Sequence, residues 1–146
     1  EEAPALAPDA VYLVATQADP RAPEELIGGI DEIVQNFVDL GIEVIVVRDN
    51  PRYRFDMYEC VLENESNCAR REVPSKTGLE DLTTAGQIIH VDFRPWLCPG
   101  GTCQGKIGNI AVYTDDNHLS DAYGRTLAPM LAQMLDAGEL FAHGQH

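Results

Sequence analysis

The sequence predicts an α/β fold built on a mostly parallel sheet. Three observations carry that prediction: a continuously apolar run from Ala10 to Thr16, a second from Glu43 to Arg48, and between them a stretch whose apolar residues recur at three and four. Strand, helix and strand with short joints are the grammar of a right-handed βαβ crossover. A chain of 146 residues is one domain with room for a real core. Its 45% hydrophobic and 23% charged residues lie within the range of chains that fold.

The elements follow in order. Residues 1–9 hold two prolines and no apolar period, so they read as an extended lead-in to a domain over 10–138, with 139–146 a polar tail. Residues 10–16 predict a strand covered on both faces. From Pro23 to Leu40, the spacing of Leu26, Ile27, Ile30, Ile33, Val34, Phe37 and Val38 predicts an amphipathic helix that starts on Pro and two Glu and stops at Gly41. Residues 43–48 give the second buried strand. Between Asp49 and Gly86 the pattern weakens into a long excursion with a short helix near Phe55 to Leu62, which reads as a lid or decorated surface. Gln87 to Asp92 predicts a third strand and Ile110 to Tyr113 a short fourth. A helix from Ser120 to Leu135 follows, bent by Pro129.

The 24 acidic and 10 basic residues give a net charge of −14, which disfavours nonspecific attraction to nucleic acid or an anionic membrane and leaves neutral or cationic partners. No apolar run approaches the roughly 20 residues that cross a bilayer. Four cysteines form two close pairs, Cys60 with Cys68 and Cys98 with Cys103, each bracketing a turn-rich stretch. The rival reading is a zinc site, but the spacings are not those of short Cys knuckles, and an even count in turns favours two local disulfides. Such crosslinks belong to an oxidising compartment, the periplasm or cell exterior.

The sharpest chemical feature is Asp115-x-x-His118, between a short strand and a helix opening on Ser120 and Asp121. Reactive groups of open α/β sheets collect in loops beyond strand ends, and a carboxylate three residues before a histidine can fix its tautomer and favour the imidazolium formed during acyl transfer. In that reading Asp115 orients and His118 is the base. The plain alternative is an acidic turn with a helix-capping histidine.

The stretch Gly108-Asn109-Ile110-Ala111-Val112-Tyr113-Thr114-Asp115-Asp116-Asn117-His118-Leu119-Ser120, with Tyr123, Arg125, Thr126, Leu127, Ala128 and Pro129 after it, resembles the closing segment of the SGNH hydrolase-like domains carried by membrane acyltransferases of the acyltransferase-3 family. The upstream run Val46 to Arg52, the pair Cys60 and Cys68, and His90-Val91-Asp92-Phe93 leading to Cys98 and Cys103 resemble the same domains in the same order. The resemblance implies a three-layer, flavodoxin-like sheet with helices on both faces. It also implies transfer or removal of short acyl groups, often acetyl, on cell-envelope polysaccharide or glycolipid through a serine acyl-enzyme, without a cofactor or metal. By it, Asp115 and His118 match the last block of the catalytic triad. The partners implied are an acyl donor, an envelope glycan or glycolipid acceptor and an upstream membrane acyltransferase domain in the same polypeptide that tethers this one outside the cytoplasm.

One departure stands out. The family's serine lies in a Gly-Asp-Ser-type block at the end of its first strand, and these 146 residues hold no such block. Ser66 falls between two cysteines, Ser75 in a turn, and Ser120 suits a helix N-cap. The family's first strands are therefore expected outside this chain, leaving the strand at 10–16 to be covered by an upstream segment, the lead-in, a swapped segment or a second copy. A noncatalytic module binding glycan or protein on the same scaffold is the alternative function. Thr16 and Gln17 follow the first strand where the resemblance puts oxyanion donors, against an ordinary strand-to-loop turn. Arg48, Asp49, Arg52 and Arg54 suit a carboxylate or sugar, against a solvated charged rim. Tyr53, Tyr58 and Trp96 suit stacking on a sugar ring, against core or lid packing. His90 reads as structural, and His143 and His146 as tail.

Overall fold

The computed structural model describes residues 8–72 and 76–137. Most of the lead-in, the tail with His143 and His146, and Ser75 fall outside them. Strand β1 (Ala10–Val14) pairs in parallel with β4 (Glu43–Val47), which pairs in parallel with β6 (Ile89–Val91), giving the order β1-β4-β6. Between the first two, β2 (Thr16–Gln17) and β3 (Glu25–Leu26) form a small antiparallel hairpin ahead of α1 (Ile30–Asp39). The predicted helix from Pro23 therefore begins seven residues late. Gly28 and Gly29 interrupt it, Gly29 taking a left-handed φ of 79° as the residue before the first turn.

The sheet is the middle of three layers. Val11 and Leu13 of β1 join Val44 and Val46 of β4 in a core under α1 and α3 (Leu79–Thr84), with Val34, Leu79 and Ile88. On the opposite face Ile45, Val47 and Val91 pack against Leu131, Met134 and Leu135 of α6 (Ala128–Ala137). The expected cover on both faces of the first strand is not found among the described residues: Tyr12 and Val14 of β1, on the α6 side, are 53% and 51% exposed, because α6 packs on β6 at the far edge. Among the described residues the outer edge of β1 has no paired strand.

A third core gathers the rest of the chain. Helix α2 (Met57–Asn64), β5 (Arg70–Arg71), α4 (Arg94–Leu97), β7 (Thr102–Cys103), the hairpin of β8 (Lys106–Ile107) with β9 (Ile110–Ala111), and α5 (Asp121–Thr126) surround Met57, Leu97, Val112, Tyr113 and Tyr123. The predicted fourth strand thus belongs to a hairpin outside the parallel sheet. The predicted 120–135 helix is two helices that break at Leu127, with Pro129 in the first turn of the second, where its missing N–H costs nothing. Disulfides join Cys60 to Cys68 and Cys98 to Cys103, and all four sulfurs lie on this core. No thiolate is left to ligate a metal. Among the described residues, no helix is long and apolar enough to cross a membrane.

Candidate active site

The parallel strands end on one side, and the loops that leave β1, β4 and β6 meet there, the place where α/β sheets collect ligands. A buried network joins them. Thr16 Oγ1 donates to Glu24 Oε1 at 2.6 Å and accepts from the Asp49 N–H at 2.8 Å. Glu24 Oε2 accepts from Arg48 Nε at 2.9 Å and from Arg94 Nη2 at 2.6 Å. The two guanidiniums are balanced outward by Asp92 on Arg48 and Glu72 on Arg94. Glu24 is 6% exposed and Arg94 8%, as expected for charges that survive burial only when paired.

The loop Asp115–His118 is clasped onto the segment after β4. Asn117, 4% exposed, donates from Nδ2 to the carbonyl of Asn50 at 2.9 Å and accepts from Arg52 Nη2 at 2.9 Å. Arg52 Nη1 pairs with Asp116 at 3.0 Å, and the Tyr53 and Met57 N–H groups donate to the carbonyls of Asp116 and Asp115. Below this, the Tyr53 hydroxyl donates to that of Tyr113 at 3.0 Å. Burial pushes the Tyr53 phenol up to about 12 and raises that of Tyr113 as well.

On this base Asp115 and His118 meet. The Asp115 Oδ2 lies 2.7 Å from His118 Nδ1, while its Oδ1 accepts from the backbone N–H groups of Asn117 at 2.8 Å and His118 at 2.7 Å. Those two backbone donors, and then the imidazole, lower the Asp115 carboxyl to about 2. It is ionised near neutrality and accepts only, so Nδ1 is the ring nitrogen that donates to it, and Nε2 is left for other partners. The imidazole side chain is 74% exposed.

The other predicted residues fall as follows. Thr16 is buried with its hydroxyl committed to Glu24 and Asp49, which makes it a strut between loops; Gln17 is exposed on β2. Arg48 is no solvated rim but half of the buried network, and Asp49 accepts from the Ala18 N–H at 2.9 Å. Arg54 is exposed and reaches the carbonyl of Pro20. Tyr53 is core, Trp96 packs against it, and Tyr58 is exposed on α2. His90 lies on β6 with Nε2 buried and without a partner among the described residues. Ser66 turns within the Cys60–Cys68 loop, and Ser120 caps α5, its Oγ accepting from the Tyr123 N–H and donating to Ala111. Sequence reasoning missed Glu24, Arg94 and Asn117. Only Asn117, sited between the two candidate catalytic residues, carried a local signal.

The fold is a three-layer α/β one with its Asp-x-x-His loop beyond the strand ends, as in SGNH-type domains. The family model described as "SGNH domain (fused to AT3 domains)" matches residues 2–133, and the chain belongs to that family. Comparison with curated proteins and with solved structures gives no match.

Proposed function

We infer that this chain is the base-and-acid part of an extracytoplasmic SGNH domain that serves an O-acyltransferase, moving acyl groups, most simply acetyl, to or from an envelope polysaccharide or glycolipid. The observation that carries the reading is the Asp115–His118 pair, with the Nδ1 proton held by an ionised carboxylate and Nε2 free. The membership in a family fused to AT3 domains supports a membrane acyltransferase domain in the same polypeptide, and two disulfides fit an oxidising compartment.

In this mechanism a serine from outside these residues attacks the acyl carbonyl, forming an ester as the donor oxygen departs. His118 Nε2 takes the serine proton and returns it to the leaving group, then repeats the exchange as the acceptor hydroxyl attacks the acyl-enzyme. Asp115 stays ionised and stabilises the imidazolium. The upstream segment that brings the serine also pairs with β1 and covers Tyr12 and Val14; failing that, a second copy of the chain pairs along the same edge.

One observation favours the noncatalytic binding module: Ser66 and Ser120 both have their hydroxyls engaged away from His118. Hydrolysis of a small acyl ester separates the readings. The 146 residues alone are expected to be inactive, and a longer protein running through a Gly-Asp-Ser block is expected to be active and to lose that activity on His118→Ala. Robust histidine-dependent hydrolysis by the 146 residues would overturn the outside serine, and an inactive longer protein would leave the binding module.

A further inference from the structure

We propose that the cleft beside the Asp115–His118 loop holds the anionic groups of an acidic glycan, a saccharide chain bearing carboxylates or phosphodiesters. This names the acceptor class for the reading above and rests on it. The chain as a whole is strongly acidic, which by itself favours neutral or cationic partners, but its few basic residues are gathered. Arg21, Arg52, Arg54, Arg70, Arg71 and Arg94 all line one cleft of about 690 Å³, against the three carboxylates Asp19, Glu24 and Glu72.

The pairing inside the cleft decides its sign. Arg94 lies between Glu24 and Glu72, and Arg48 adds a second cation to Glu24, so those two carboxylates are already neutralised. Arg52 is taken by Asp116. The other four guanidiniums have no carboxylate partner among the described residues. Arg54 reaches only the Pro20 carbonyl; Arg70 reaches the carbonyls of Asn67 and Ala69 and lies 4.5 Å over the Phe55 ring. Arg21 and Arg71 are exposed. Four guanidiniums facing one cleft with Asp19 as the remaining anion make a positive site in a chain with 24 acidic residues available to pair them.

The geometry suits a sugar acid. A guanidinium presents a planar fork of donors that meets a carboxylate or phosphate two bonds at a time. Ala18, Pro20, Pro23 and Pro51 give the same cleft apolar wall on which the C–H face of a pyranose can rest. A second groove, sharing Arg21, Arg54 and Tyr53 with the first, runs on to Asp116, two residues from His118. A chain held by its charges in the first cleft can thus extend toward the imidazole.

The test is titration of the 146-residue protein by calorimetry with four probes: an oligogalacturonate, a glycerol-phosphate oligomer, a neutral malto-oligosaccharide and a single-stranded oligonucleotide. Binding of either anionic saccharide, weakening as salt is raised, with neither the neutral sugar nor the oligonucleotide matching it, is the expected result. Which of the two binds more tightly tells carboxylate from phosphodiester. The double variant R21Q/R71Q is expected to bind about tenfold more weakly, from about two- to fivefold for each exposed guanidinium. R125Q removes a charge paired with Asp121 on α5, away from the cleft, and is expected to change nothing. No binding of an anionic saccharide, equal binding of the neutral sugar or the oligonucleotide, or an R21Q/R71Q protein that circular dichroism shows folded and that binds unchanged would overturn the proposal. The titration measures binding without turnover, so its failure leaves hydrolysis by His118 untouched, and failure of hydrolysis leaves the titration standing.

Discussion

The Asp115 carboxylate is kept ionised mainly by backbone N–H groups and only then by the histidine it orients. Its folded value, about 2, lies below the ordinary 3.8, so its contribution to stability is full above pH 3.8 and is lost as pH falls through about 2. We expect Asp115→Asn to lower the melting temperature slightly in the neutral region, where that contribution is full, and to flatten the acid limb so that the two curves converge as pH falls through about 2; thermal unfolding followed by circular dichroism checks it. The slope is small, because the group is exposed and solvent screens it. This pair was legible in the sequence because its members stand three residues apart. Glu24 with Arg48 and Arg94 was not, since the partners lie 24 and 70 residues apart and nothing local marks a charge as buried. Pro23-Glu24-Glu25 looked like the opening of a helix for the same reason: acidic residues after a proline suit a first turn, and only the fold shows that Glu24 is pointed inward.

Elements were read best where one pattern sufficed. The strands β1, β4 and β6 announced themselves as apolar runs; the short helix expected near Phe55 to Leu62 is α2, and the structure adds its cap, Asp56, which accepts from the Glu59 N–H at 2.9 Å. The strand expected at 110–113 is present as β9, but its place in a hairpin was not legible, because a short apolar run has the same composition in a sheet and in a hairpin. The seam between α2 and the β8–β9 hairpin also escaped the pattern, since it depends on an absence of side chain. A Cβ on Gly105 would sit 2.5 Å from Val61 Cγ2 and 2.9 Å from Met57 Sδ. Gly105→Ala is therefore expected to cost about 1–3 kcal/mol, as overpacking does, measured by urea denaturation. A wild-type midpoint would show that α2 has slack to yield.

At the scale of the whole molecule, Glu24 ties the β2–β3 hairpin to the ends of β4 and β6 and, through Arg94 and Glu72, to the neighbourhood of β5. Glu24→Gln keeps the shape and removes the charge, leaving two buried guanidiniums facing each other. The expected loss is about 3–5 kcal/mol in the same denaturation experiment, the usual result of breaking a buried pair from one side. The α/β class was legible in the alternation of strand and helix and the three layers followed from the family resemblance, but the one-sided cover of β1 was not foreseen: an apolar run such as Ala10 to Thr16 reads alike whether or not the described residues supply both of its faces. The two crosslinks bear on how the molecule is made. They close loops of 8 and 5 residues, while any exchange of partners between them would close one several times longer. Because the chance of chain ends meeting falls with loop length, each thiol meets its neighbour first, and closing a loop of about ten residues takes tens of nanoseconds. Chain statistics alone thus favour the right partner for each thiol, and the pairing does not depend on long-range contacts made by the sheet.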